Sequence, residues 1–258
     1  MNTNEVNALN YFSPEMQLKY MGSSQYKMFC DCESMALAEI RGEYIRETTT
    51  SLLTGSYCDA HFEGTLDNFM NTHPEIFLKG GKSLKSEYKH AETIIRRLER
   101  DEMFMKYMSG EKQVIKTGEI DGVPFKIKID CFHPGKAIVD LKIMRDFEEI
   151  WKDGLKLHFA YVWRYDFQAA IYQAVEGNKL PFFIAAGTKE KEPNLDIFSV
   201  PQERIDYCLS EIKKTIHRFA DIKKGLIEPT RCGNCDWCKS TKTLTKINDE
   251  LHRLEKTE

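Results

Sequence analysis

The sequence predicts a mixed α/β domain with a helical N-terminal part. Three observations predict it. Apolar residues recur with a helical period through roughly the first hundred positions. A period-two pattern then takes over from residue 111 to about 143. After that come a helix, two short apolar runs and a long helix.

The elements follow in chain order. Ser23 and Ser24 are candidate caps for a helix through "QYKMFCDCESMALAEIR". A second helix is expected to open after Gly55 and to carry "SYCDAHFEGTLDNFM". "KSEYKHAETIIRRLERDEMFMKYM" reads as one long helix with Ile94, Ile95, Leu98 and Met105 on its apolar side. "EKQVIKTGEIDGVPFKIKIDCF" and "KAIVDLKI" alternate and contain turn residues, as a meander of strands does. In the middle strand the alternation sets Phe125, Ile127, Ile129 and Cys131 on one face. Lys126, Lys128 and Asp130 fall on the other. "HPGK" turns the chain into the next strand, where Asp140 and Lys142 share a face. A helix around "FAYVWRYDFQAAIYQAVEGN" buries Phe167, Ala170, Ile171 and Ala174. "LPFFIAAGT" and "LDIFSV" are strands. "PQERIDYCLSEIKKTIHRFADIKKG" is a helix, with Pro at its start and Gly at its end. No linker divides the chain.

Composition narrows the class. The chain is 41% hydrophobic and 30% charged, which suits a folded core with a polar surface. No apolar run approaches the roughly 18 residues of a membrane span. The opening "MNTNEVNALN" lacks a signal-peptide core, so a cytoplasmic location is expected. In a reducing compartment the eight cysteines are thiols or metal ligands. A formal charge of −3 leaves a nucleic-acid partner open, because a local basic groove suffices to bind phosphates.

The stretch "IDCFHPGKAIVDLK" carries chemistry. A hairpin turn brings the region of Asp130 beside that of Asp140. Carboxylates so close repel one another unless a cation lies between them. Charges on strands are ordinary, and Asp130 read alone is a turn residue. Asp140, however, sits inside the apolar run "AIVDLKI", where an unpaired charge costs several kcal/mol, on the order of 2 to 7. A divalent ion removes the conflict. The backbone carbonyl of Leu141 is a third oxygen for it, and Lys142 lies one pleat along. Carboxylate-held Mg²⁺ or Mn²⁺ with a neighbouring lysine is what phosphodiester hydrolysis needs.

These residues resemble a known signature. Asp130 followed by Asp140-x-Lys142 is similar to the PD-(D/E)xK nuclease motif. "QAAIY", Gln168 to Tyr172, resembles the Gln-x-x-x-Tyr motif of the RecB-like branch, and "GSYCDAHFEG" its Gly-x-x-x-His segment. With "SQYKMFCDCE" and "RCGNCDWCKSTKTL", the chain resembles the RecE-type exonucleases of phages and prophages from about residue 23 to 245. The resemblance implies a restriction-endonuclease-like core: a central mixed sheet flanked by helices. It implies one nuclease domain over 1–258, with a mainly helical part at 1–110, a catalytic core at 111–225 and a Cys-rich segment at 226–258.

It also implies roles. Asp130 and Asp140 are the expected metal ligands and Lys142 the catalytic lysine. Glu119 is a candidate for a second metal, or else a turn residue beside Asp121–Gly122. The upstream motif departs from the pattern, since four positions after Gly55 stands Asp59, and His61 follows two later. At 3.6 residues per turn these two point about 200° apart, so one of them completes the metal shell. Asp59 is preferred, with Glu63 one turn on. Gln168 and Tyr172 share a helix face and either touch DNA or hold the lysine strand.

Cys232, Cys235 and Cys238 form C-x2-C-x2-C, a strong metal signal. Cys32 is the expected fourth ligand, with Cys30 as its rival. By resemblance the group is a [4Fe–4S] cluster, although its spacing departs from the C-x2-C-x5-C of cluster-bearing relatives. Zinc is the alternative. Cys58, Cys131 and Cys208 read as core residues. Basic residues interleave with aromatics in "YKMF", "RRLERDEMFMKY" and "KSTKTLTK", which suits sequence-neutral phosphate contacts.

The resemblance implies a Mg²⁺-dependent 5′→3′ exonuclease on double-stranded DNA ends. Its 3′ single strands would pass to a single-strand annealing protein or recombinase, in the cytosol of a bacterial host. Related enzymes form rings, so a homo-oligomer is part of the expectation. The competing reading is a non-catalytic DNA-binding module held by a zinc or iron–sulfur centre.

Overall fold

The computed structural model describes residues 5–81 and 83–245. A short helix α1 (Pro14–Lys19) opens the chain, capped by the Ser13 hydroxyl. Helix α2 (Ser23–Asp31) begins at Gly22, so Ser23 and Ser24 lie inside its first turn and do not cap it. The expected single helix is broken. Cys32 takes an extended conformation (φ −164°, ψ 111°) and α3 (Glu33–Ile40) restarts beyond it. The break turns the Cys32 thiol toward the C-terminal cysteines.

Helix α4 (Thr50–Glu63) starts earlier than expected, at the Thr49 cap, and carries Gly55 in its interior. Left-handed Gly64 ends it, and α5 (Leu66–Thr72) and a 3-10 turn (Pro74–Ile76) follow. The long amphipathic stretch is also two helices, α6 (Ser86–Glu99) and α7 (Glu102–Tyr107). Asp101 divides them because its carboxylate accepts the Phe104 N–H and so caps the second.

Strands β1 (Glu111–Ile120), β2 (Val123–His133) and β3 (Ala137–Met144) form the expected meander. The chain then makes a small hairpin of β4 (Ile150–Lys152) and β5 (Leu155–Leu157), which no sequence pattern announced. The next helix is split into α8 (Phe159–Val162) and α9 (Tyr165–Glu176) at left-handed Arg164. Strands β6 (Phe182–Thr188) and β7 (Leu195–Ser199), the long α10 (Gln202–Lys223) and α11 (Asp236–Ser240) complete the order.

The main sheet runs β1-β2-β3-β6-β7, with only β3 and β6 parallel. Helices cover both faces, giving the central mixed sheet that the sequence predicts. One core joins Phe125, Ile127 and Ile129 to Ile171 of α9 and Ile212 of α10. The other joins Val139, Leu141 and Ala185 to Tyr57 of α4 and Ile94 of α6. Cys131 packs in this second core, opposite to Phe125, Ile127 and Ile129, which corrects the simple alternation. The face changes at Asp130, where the sheet is irregular: across the ladder, Gln113 is left-handed (φ 54°). No described helix is long and apolar enough to cross a membrane.

Candidate active site

The acidic pair is made by the end of a ladder. β2 and β3 pair over three rungs, the last being Cys131 with Val139. The next rung would set Asp130 against Asp140, and there the regular pairing stops. Both carboxylates nonetheless line the same cavity. Asp130 Oδ2 fills the opening by accepting the Leu141 N–H at 3.0 Å.

Asp140 is only 2% exposed. Its Oδ1 accepts from Gln168 Nε2 at 2.7 Å. Gln168 Oε1 in turn accepts from Lys27 Nζ at 3.1 Å. An ammonium only donates and a carboxylate only accepts, so this chain fixes the amide in one orientation. Lys142 Nζ donates to the Leu141 carbonyl at 3.0 Å. It also pairs with Asp140 Oδ2 at 2.5 Å. Tyr165 stands between two ammonium groups, its ring centre 5.5 Å from Lys142 Nζ and 5.3 Å from Lys27 Nζ. The Tyr172 hydroxyl donates to the Lys128 carbonyl at 3.0 Å and pins β2 to α9.

A cavity of about 580 Å³ opens over these groups, and Asp59 of α4 reaches into it. Electrostatics record the crowding. Burial, then the Asp140 charge, pushes Asp130 well above the usual carboxylate range, with Lys142 opposing. Burial raises Asp59 to about 7, again against Lys142 and with Asp140 adding to the rise. Burial alone would lower Lys142, but the Asp140 and Asp130 carboxylates outweigh it and hold the ammonium above its ordinary value. Asp59, Asp130 and Asp140 crowd around Lys142, while Lys27, Lys126 and Lys128 border the same cavity.

The residues fit a divalent cation on their own chemistry. The donors are all oxygen, as Mg²⁺ and Mn²⁺ require. Two of the carboxylates, Asp130 and Asp59, are pushed up by burial and by the neighbouring Asp140 charge, a conflict that a divalent cation relieves.

Two expected residues lie elsewhere. His61 pairs with Glu99, Nε2 to Oε1 at 2.8 Å, as the half-turn from Asp59 around α4 dictates. Glu119 pairs in register with Pro124 and is exposed. Six residues of β2 separate that position from Asp130, about 20 Å of strand. Gln168 and Tyr172 line the cavity, but their polar atoms are engaged inside the protein. The structure adds residues that no motif marked. Lys27 was visible only as part of a basic–aromatic run. Tyr165 carried no signal at all. Gln113, across from Asp130, has both amide atoms buried without a partner.

The cysteine group assembles as expected. The sulfurs of Cys32, Cys232, Cys235 and Cys238 all lie within 4.8 Å of one another. Cys30 is exposed on α2 and takes no part. The Cys232 sulfur accepts the N–H groups of Asn234 and Cys235, at 3.4 and 3.3 Å. These bonds lower its thiol to about 6. Around the group, Arg218 grips Glu33 with two bonds of 2.7 Å, and Glu33 also accepts the Thr230 N–H. Lys246, the last residue of "KSTKTLTK", lies outside the described residues, as do the ends of the expected 1–258 domain.

A mixed sheet that opens to seat two aspartates and a lysine, with a Gln–Tyr helix packed behind, defines a protein of the PD-(D/E)xK type. Residues 22–241 match the family described as a PDDEXK-like domain of unknown function, DUF3799, and the chain belongs to that family. A crystal structure from Eubacterium rectale, whose protein is named "putative exonuclease", is 42% identical. It superposes with a TM-score of 0.91 over 96% of this chain and 98% of its own. The structure of SSO0001 is 12% identical over 80% of this chain and 87% of its own. Its TM-score is 0.28, and no inference is drawn from it. No curated protein matches the chain.

Proposed function

We propose that the protein is a metal-dependent deoxyribonuclease that degrades linear double-stranded DNA from its ends, 5′→3′, and leaves 3′ single strands. The observation that carries the reading is the gathering of Asp59, Asp130, Asp140 and Lys142 around one cavity. Membership in a PDDEXK-like family supports it, and the name of the Eubacterium rectale relative supports exonuclease action. Asp130, Asp140, the Leu141 carbonyl and Asp59 would hold Mg²⁺ or Mn²⁺. When bound, the ion supplies a more acidic water and neutralises charge on phosphoryl oxygens.

The chain's own groups do the rest. Gln168 holds Asp140 by one oxygen and leaves the other facing Lys142. Lys142 presents an ammonium to the oxygens of a phosphate seated in the cavity and stabilises charge as it grows there. Lys27 and Lys128 border the same cavity and draw the backbone in without reading sequence. One domain would carry this activity, with parts at 1–110, 111–225 and 226–258. The 3′ strands would serve an annealing protein or recombinase, and a ring of copies is the assembly that suits processive action.

The cysteine group is assigned a single zinc ion. Zn–S bonds of about 2.3 Å in a tetrahedron set sulfurs about 3.8 Å apart. The 3.5 Å from Cys32 to Cys238 and the 3.9 Å from Cys232 to Cys238 lie near that spacing, and all four sulfurs fall within 4.8 Å of one another. A four-iron cluster spreads its thiolates over four metals and needs them farther apart.

The test uses end-labelled linear duplex with Mg²⁺. Wild type should release mononucleotides from the 5′ ends and spare closed circles. Asp140→Ala and Lys142→Ala should bind DNA yet cleave at least about 100-fold more slowly. Binding without cleavage by wild type, or cleavage equal in all three, overturns the reading.

A further inference from the structure

The cleft has a feature that the chemistry above does not use. Lys126 of β2 is 1% exposed, and among the described residues its ammonium has no carboxylate partner. It donates to the Tyr11 carbonyl and lies 4.6 Å from the centre of the Tyr11 ring. Burial lowers it to about 8, so the fold sustains this contact at a cost. What the contact fixes is the next residue. Phe12 packs edge-on against Tyr11 at 4.9 Å and 78° and remains 68% exposed. Lys128 Nζ lies 5.5 Å from its ring centre. Phe12 lines the catalytic cavity and also a neighbouring one of about 500 Å³, shared with Met28 and Ile40.

An exposed aromatic ring therefore stands where a catalytic cleft meets an apolar hollow, with Tyr11 against its edge and Lys128 beside it. We propose that Phe12 is a stacking platform for the substrate: the nucleobase beside the scissile phosphate lies on its ring, and Lys27 and Lys128 take the flanking phosphates. This subsite rests on the nuclease reading of the same cleft. Its occupant is a nucleotide of the strand being degraded, because the platform is continuous with the carboxylate cavity and has the Lys128 ammonium beside it. Stacking accepts any base, which matches sequence-neutral action.

The test places 2-aminopurine at each of the four terminal positions of either strand of a duplex. Binding is followed with Ca²⁺ in place of Mg²⁺. Wild type should quench the probe strongly at one position. Phe12→Ala should abolish that quenching and weaken binding about tenfold, while Phe12→Trp restores both. An abasic nucleotide at the same position should cost wild type about tenfold and cost Phe12→Ala nothing more. Quenching unchanged in Phe12→Ala, or losses from the abasic site and the substitution that multiply, overturns the proposal. The fluorescence reading needs no cleavage. Quenching without Mg²⁺-dependent hydrolysis would remove the nuclease reading and keep the platform. Hydrolysis without quenching would do the opposite.

Discussion

Asp140 owes its setting to its neighbours rather than to its own position. Gln168 holds one oxygen, Lys142 lies beside the other, and Lys27 keeps the amide from turning round. Partners of metal ligands commonly contribute 10- to 100-fold to affinity or rate, so Gln168→Leu should weaken Mn²⁺ binding by roughly that factor. Calorimetry on the variant checks it. An unchanged affinity would mean that Asp140 needs no support. Asp140 and Lys142 were legible because a charged pair inside an apolar strand demands a reason. His61, the less favoured alternative to Asp59, is turned by helix geometry to Glu99. Lys27 and Gln113 were not legible, since each acquires its role from a residue distant in sequence.

Two glycines show how elements are placed. Gly55 lies inside α4, and a methyl group there would meet nothing nearer than the Ile143 carbonyl at 4.0 Å. Gly55→Ala should therefore stabilise the protein by about 0.5–1 kcal/mol, as expected in a helix interior. Gly110 precedes β1, and a methyl group there would stand 2.4 Å from the Phe132 carbonyl oxygen. Backbone cannot retreat as a side chain can, so Gly110→Ala should cost about 1–3 kcal/mol. Urea melts of both variants check the opposite signs, and equal effects would count against this packing of β1 on β2. The strands were legible from periodicity because burial on a sheet imposes a period of two. The helix breaks at Cys32, Asp101 and Arg164 were not. Their flanks keep helical composition, and each break serves a thiol site, a cap or a contact made elsewhere in the fold. Arg164, for example, donates to Asp31 at 2.6 Å.

At the scale of the molecule, the N-terminal segment and the C-terminal third are fastened to one another at several places, two of which can be tested directly. The first is Lys223 of α10, which donates to the Tyr20 carbonyl at 2.7 Å and to Gln25 at 2.9 Å. Burial, then repulsion from Lys126, lowers it to about 7. An unfolded lysine titrates near 10.4, so between pH 7 and 10 the unfolded chain binds more protons. Stability attributable to this group should rise across that window. The rise should be missing from Lys223→Met when melting temperatures are compared at pH 7 and 9, and identical curves would refute it. The second fastening is the cysteine group, which joins Cys32 to Cys232 across most of the chain. Closing so long a loop removes about 5 kcal/mol of unfolded-state freedom in the chain-entropy limit. Several degrees of melting temperature accompany each 2 kcal/mol in a chain of this size. The Glu33–Arg218 grip joins the same segments without metal, so stripping the ion should loosen the fold and not abolish it. The purified protein should be colourless, contain one zinc per chain, and lose about 10 °C on chelation. Cys235→Ser should match the chelated protein and respond to chelator no further. A brown protein rich in iron would replace the zinc assignment with a cluster. A metal-free preparation that melts at the same temperature as the chelated one would show that the thiols merely pack.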